Sequence, residues 1–493
     1  MTIPFRNIPA NIRVPLFYAE VNNALANSGG QAQRALIIGQ ITSTGLATPN
    51  MPLLSQGPSD AITQGGLGST LALMTAAYLL NDPAGEVWYL PLADAGGGTA
   101  ATGTIAIAAT TVAAGVLALY IAGQLVPVPI AALETAGSIA TAIAAAVNAL
   151  TNLPVTASAL STTVTLTAVN KGLTGNDIDI RLNYQGAANG EVTPAGLVPT
   201  ITAMASGATN PTLTTALANC GDQPFDFIVC PYTDSTSLNA LQAWLNDSSG
   251  RWSWSTQVYG GVFTAYRGTA GSQTTFGTAR NDQHASVMGF YDSPTPNWVW
   301  AAAVAGAGAQ SLKADPAMPL QTVPVYGVLA PPLASQFILS ERNTLLYDGI
   351  STFTVDQGGL VHIENLITTY QTNGFGQPDS SYLEVETMYT LMYVLRSLAG
   401  MVTRKYARVK LGADGGTYAP GSAIVTPSSI RADIIAAYQA LEYDGYVQNS
   451  PAFAKGLIVQ QNATNPNRVD VLWPGTLIDQ LRVFALLAQF RLQ

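Results

Sequence analysis

The sequence predicts a multidomain α/β protein, and three observations carry that reading. Short apolar runs alternate with helical stretches in the β-α-β order of a parallel sheet. That order stops near Gly97 and resumes near Gly207, so a β-rich module is expected inside one α/β domain. From about residue 336 two short strands sit among long helices, the pattern of an α+β domain. At 493 residues the chain is longer than one ordinary core fills.

Residues 1–25 read as an arm. Ile12, Val14, Leu16 and Tyr18 alternate with Arg13, Pro15 and Phe17, while prolines recur at 4, 9 and 15. Proline cannot donate to a ladder, so this is an edge strand or an extended arm laid on something else.

The α/β domain is expected in two pieces, 26–96 and 207–335. ALIIGQI (35–41) and EVWYLPL (86–92) read as strands around the helix STLALMTAAYLL (69–80). After the insertion the same grammar returns in TLTTALANC, FDFIVCPY, SLNALQAWLND, GVFTAYRG, HASVMGFY and WVWAAAVAGAGAQSL. The insertion, 97–206, contains an uncharged stretch between Asp94 and Glu134 that is long enough to span a membrane. It is Ala, Gly and Thr rather than Leu and Phe, its large side chains alternate, and Pro127 and Pro129 break it, so paired strands are expected and no membrane insertion. TAGSIATAIAAAVNAL is an amphipathic helix, and in TTVTLTA the threonines face away from Val164 and Leu166.

The C-terminal domain, 336–465, centres on Leu339–Tyr370. Its strands ISTFTVD and VHIENLITTY flank a turn at Gly358-Gly359. A helix over 381–411 is apolar nearly all round as far as Arg404, and a second runs over 427–445 with Ser428 or Ser429 as cap. Arg404, Lys405, Arg408 and Lys410 make a basic cluster that is either a patch for an acidic partner or a set of cations complementing a helix C-terminus. Residues 466–493 form a tail with Phe484, Leu486, Phe490 and Leu492 on one face of a strand, a segment too apolar to be left in water.

Chemistry is scarce. Only 10% of residues are charged, and such a surface is easiest to understand if other copies or partners cover it. A net charge of −9 excludes a nucleic-acid binder. With two cysteines, Cys220 and Cys230, and two histidines, His284 and His362, neither a zinc site nor a disulfide framework is expected. No signal-peptide run opens the chain, which points to a reducing cytoplasm. GGLGST (65–70) lacks the lysine of a phosphate loop, no GxSxG is present, and Glu384 and Glu386, two apart on a helix, are expected to face different ways. No catalytic constellation and no cofactor follow.

Several long runs carry a resemblance. ERNTLLYDGISTFTVDQGG, TTYQTNGFGQPDSSYLEVET, YAPGSAIVTPSSIRADIIAAY and NPNRVDVLWPGTLIDQLRVFALLAQFRL, with IPANIRVPLFYAEVNNA near the start, resemble the tail sheath proteins of contractile-tailed phages of the Mu type. Ala407 stands where that family leads one to expect proline. The resemblance implies a non-enzymatic virion protein, assembled in the host cytoplasm as stacked hexameric rings around a tail tube. Its partners would be further copies of itself, the tail tube protein, and baseplate and tail terminator proteins. It implies that the terminal arms add strands to a small sheet in the C-terminal domain of neighbouring copies. The donors would include Ile12, Val14, Leu16 and Tyr18, and Leu481, Val483, Phe484, Leu486, Phe490 and Leu492. Ile350–Asp356 and Val361–Tyr370 would receive them, and Arg404, Lys405, Arg408 and Lys410 would face the tube. The alternatives are an α/β hydrolase-like enzyme, which needs a triad, and a secreted surface-layer or adhesin protein, which needs a signal peptide.

Overall fold

A computed structural model describes residues 33–492, so Ile12, Val14, Leu16 and Tyr18 lie outside the described residues. RALIIGQ forms β1 (Arg34–Gln40), with every residue after Arg34 buried, as a strand covered on both faces requires. β2 (Leu53–Leu54), α1 (Pro58–Gly65), α2 (Thr70–Asn81) and β3 (Glu86–Leu92) follow. β1 and β3 pair in parallel from Arg34 opposite Glu86 to Gln40 opposite Leu92.

The inserted segment holds β4 (Ala100–Ala109), β5 (Gly115–Ile121), β6 (Gln124–Ile130), α3 (Ala136–Ala149), β7 (Val155–Leu160), β8 (Thr163–Lys171), β9 (Ile180–Leu182) and β10 (Leu197–Ala205). They make two antiparallel sheets, β10-β4-β8-β7 and β6-β5-β9. The uncharged stretch is therefore strand, and no helix among the described residues is long and apolar enough to cross a membrane. Pro127 and Pro129 fall on β6, an edge strand, where a missing donor costs no ladder bond. On β8, Val164, Leu166 and Ala168 are buried and the intervening threonines half-buried. α3 covers them with Ile139, Ile143 and Val147.

After the insertion come α4 (Thr214–Asn219), β11 (Phe227–Val229), α5 (Ser235–Leu245), β12 (Gly261–Arg267), α6 (Ala270–Thr278), β13 (Ala285–Phe290) and α7 (Asn297–Ala314). Their strands complete a sheet in the order β13-β12-β11-β1-β3-β2, in which β1 lies between β3 from before the insertion and β11 from after it. Only β2 runs antiparallel to its neighbour. α7 is buried almost all round because its alanines and glycines let it approach α2 closely. A Cβ on Gly306 would lie 2.5 Å from the Tyr78 carbonyl oxygen.

β14 (Pro324–Val325), α8 (Leu339–Tyr347), β15 (Thr352–Val355) and β16 (Val361–Asn365) follow, with Gly359 at φ 83 in the turn. The sheet is β14-β16-β15. Phe353, Val361 and Ile363 join the principal core of the α/β body, and Phe353 lies 4.9 Å from Trp300 of α7 between ring centroids. These strands pack as part of the body, because its core covers their apolar faces.

α9 (Val385–Tyr406) is shorter than the sequence suggests and buried over only part of its length. Val385, Met388, Tyr389 and Met392 belong to the body core, whereas Val394 and Met401 belong to a second core. That core is built with β17 (Lys410–Leu411), β18 (Ile424–Val425), α10 (Pro427–Tyr443), β19 (Val447–Gln448), α11 (Ser450–Gly456), β20 (Ile458–Gln461), β21 (Val469–Leu472) and β22 (Thr476–Leu477). The cap of α10 is Thr426, whose hydroxyl accepts from the Ser429 N–H. α9 is thus a beam shared by two cores. Arg396 fastens it to the body with two bonds, 2.7 and 2.6 Å, to the fully buried carboxylate of Asp226. Removing one partner of such a buried pair costs about 3–5 kcal/mol.

Candidate assembly surfaces

The two histidines and two cysteines are committed to the fold. His284 is buried, 2.8 Å from Asp247 and stacked on Trp252. His362 sits between two acceptors, the Thr322 carbonyl at 3.0 Å and the Asp356 carboxylate at 3.1 Å. Only the doubly protonated ring donates to both, and these bonds, the one to Thr322 first, hold its pKa above the ordinary histidine value. Burial pushes the Cys220 and Cys230 thiols up to about 12. In GGLGST the helix-end amides are already taken: Asn170 Oδ1 accepts from Thr70 N–H at 2.9 Å and Ser69 Oγ from Ala72 N–H at 3.2 Å. Among the described residues no cluster of His, Cys, Asp and Glu has the makings of a metal site.

The C-terminal tail differs in kind. Beyond β22, Ile478 N–H donates to the Tyr446 carbonyl at 3.1 Å, and Gln321 Nε2 donates to the Leu481 carbonyl at 3.3 Å. Arg482 then turns inward, with Nη2 2.8 Å from Glu384 and 2.7 Å from Glu386. Leu481, just before it, is 68% exposed, and from Val483 outward the large apolar side chains stand in water: Val483 is 80% exposed, Phe484 81%, Leu486 78%, Phe490 84% and Leu492 89%. Leu481, Val483 and Leu487, the last 82% exposed, lie on one parity and Phe484, Leu486, Phe490 and Leu492 on the other, so both faces of the tail are apolar. Burying a Leu or Phe side chain gains about 1.5–3 kcal/mol, and none of that gain is realised within the single chain.

The two glutamates overturn the expectation that they face apart. Glu384 is the extended residue before the helix, with φ −83 and ψ 133, so helical spacing does not separate it from Glu386. The partner, Arg482, lies 98 positions from Glu384, and no local pattern announces it.

The expected receiving strands are largely occupied. β16 has β14 on one side and β15 on the other, and Ser351, which leads into β15, bridges to Met288 of β13. The β20–β21 hairpin is different: Ile458 pairs with Leu472 through to Gln461 with Val469, and neither outer edge has a ladder partner among the described residues. Ile458, Val471 and Leu472 are exposed on it. Unpaired, apolar strand edges are open templates for another chain.

Arg404, Lys405, Arg408 and Lys410 are all exposed at the C-terminal end of α9. Lys405 is 2.7 Å from Asp433 of α10, whereas the other three have no ion-pair partner among the described residues. Arg404 and Lys405 lie in the last helical turn, where they also complement the dipole.

Residues 206–369 match the phage tail sheath protein central domain, and residues 377–491 match the phage tail sheath C-terminal domain. The Mu-like prophage FluMu tail sheath protein of Haemophilus influenzae is 39% identical over 492 residues, covering 99% of this chain and 100% of that one. The chain belongs to the phage tail sheath family. This sheath is a structural component of a contractile bacteriophage tail, and it is not an enzyme. Among solved structures, the sheath tail protein Lin1278 from Listeria innocua aligns over 91% of this chain and 92% of its own, with 13% identity and a TM-score of 0.47. A chain of the anti-feeding prophage baseplate in the contracted state aligns over 98% and 100%, with 12% identity and a TM-score of 0.47. The central-domain match reaches residue 369, so it includes β15 and β16, as their packing does.

Proposed function

We propose that this sheath polymerises as stacked hexameric rings around a tail tube, and shortens on triggering to drive the tube through a host envelope for genome ejection. The observation that carries the reading is the tail at 481–492, an extended run of large apolar side chains, each more than two-thirds exposed, rooted in its own body. Strand addition supplies what it lacks: backbone bonds join the chains while alternate side chains fill pockets. The β20–β21 hairpin of a second copy is the acceptor the reading uses, in place of β15 and β16. Donation from each copy to the next is head-to-tail and builds a helical sleeve.

The N-terminal arm, with Ile12, Val14, Leu16 and Tyr18, is the second donor on the strength of its sequence. Arg404, Arg408 and Lys410, with Lys405 beside them, face an acidic surface of the tube protein. Baseplate and tail terminator proteins close the two ends, and assembly takes place in the host cytoplasm. The division proposed is arms at 1–25 and 466–493, a body at 26–96 and 207–335, an outer module at 97–206 and a C-terminal domain at 336–465, with β15 and β16 counted with the body. Contraction draws its work from contacts formed between copies in the shorter state, since a change of state needs a difference in interaction free energy and no nucleotide. Negative-stain imaging of the purified full chain is the test: tubes or stacked rings are expected, and dispersed single particles at high protein concentration contradict the reading.

A further inference from the structure

We infer that Arg482 is a fixed anchor, so that the chain available to a second copy is Val483 onward. The geometry is a buried fork rather than a surface pair. Arg482 keeps 16% of its side-chain area exposed, Glu384 19% and Glu386 none. One guanidinium nitrogen serves both carboxylates: it donates to Glu384 at 2.8 Å and lies 2.7 Å from Glu386, off the line of a hydrogen bond. Glu386 is held from the other side, because its second oxygen accepts the Leu320 N–H at 2.7 Å. Burial raises the Glu384 pKa and Arg482 opposes that rise, so the cation favours the charged form of Glu384 at a place where burial disfavours it. Withdrawing Arg482 would leave them uncompensated, a far larger penalty than freeing an exposed lysine. The anchor sits at the start of α9, whose middle is fastened to the sheet through Arg396 and Asp226. A pull on the tail is thus delivered to the shared beam and the body sheet, past α10. Residues 483–492 are the donated length only if the proposed strand exchange holds, whereas the anchor itself is a property of the single chain.

Trypsin tests it, because the tail carries a cleavable residue on each side of the boundary. Arg482 is clamped and Arg491 is exposed. On freshly diluted full chain, sized as single copies, cleavage after Arg491 is expected to run at least about tenfold faster than cleavage after Arg482, since the latter waits for local opening. Mass spectrometry of the released peptide Val483–Arg491 reads the slow step. The double variant Glu384→Gln, Glu386→Gln and, separately, Arg482→Lys are expected to lose most of that protection while keeping the wild-type circular dichroism spectrum. Equal rates at the two arginines in the wild type, or protection unchanged in the well-folded double variant, overturn the anchor. Because the readout is taken before assembly, a full chain that never forms tubes would sink the proposed function and leave the anchor standing.

Discussion

α7 and the C-terminal tail are both apolar runs, and the chain treats them in opposite ways. In α7, Trp298 and Trp300 through Ala309 are buried, packed against α2 and the sheet. In the tail, Phe484 through Leu492 stand in water with every large apolar residue more than three-quarters exposed. Apolar character alone does not separate them. The difference is side-chain size and partner: small residues let α7 sink between surfaces of its own body, whereas the bulky alternating residues of the tail fit the edge of a sheet, and its own chain supplies none at that place. A low-charge protein can therefore be well folded and still incomplete, its unfilled surface being the one that joins copies.

The contrast can be broken first at α7. Gly306→Val puts a branched side chain where even a Cβ lies 2.5 Å from a backbone oxygen, so we expect a loss of about 3 kcal/mol or more in body stability. Thermal unfolding followed by circular dichroism measures it, and an unchanged midpoint would show that α2 and α7 are not closely packed. A smaller effect, confined to partners, is expected of Arg404→Glu, Arg408→Glu, Lys410→Glu. Beyond the small dipole contribution of Arg404 these exposed cations hold nothing else in the fold, so the melting point should fall only slightly and self-assembly persist while association with purified tube protein falls about tenfold, more at low salt. Wild-type tube binding by this variant would leave only the helix-dipole role for these residues.

The smallest effect is a pH dependence at the β14–β16 clasp. The folded pKa of His362 is raised, so folding favours the protonated ring. That contribution is present below the ordinary histidine pKa and is lost as the pH rises through the folded value. Between about pH 6 and pH 8 the wild type should lose up to about 1 kcal/mol that His362→Gln does not lose, the pair being partly solvated. Parallel slopes for the two proteins in chemical denaturation would show that the ring is not charged there.

How much of this was legible follows from where each signal lives. The parallel strands could be read because strands buried on both faces are continuous apolar runs, and RALIIGQ and EVWYLPL are such runs. The inserted strands could be read from alternation. The tail could be read as a segment needing cover, since no arrangement of Phe484, Leu486 and Phe490 suits water. What could not be read was decided by surfaces far off in sequence. β15 and β16 look like a free-standing hub until Trp300, itself stacked on Phe290, is seen against Phe353 and their apolar residues are seen to join the body core. Half of α9 is claimed by one core and half by another, which its own periodicity does not divide. The role of Arg482 has no local sign, because its two carboxylates lie nearly a hundred positions earlier.

The central claim is that the tail is folded only between copies. Imaging the full chain beside a truncation lacking Val483–Gln493 tests it most directly, with thermal unfolding of both as the control. The account predicts tubes or rings from the full chain, dispersed particles from the truncation, and melting points within about 2 °C of each other, because the deleted side chains contribute nothing inside the single chain. Tubes of normal width and length from a truncated chain that melts like the full one would contradict it.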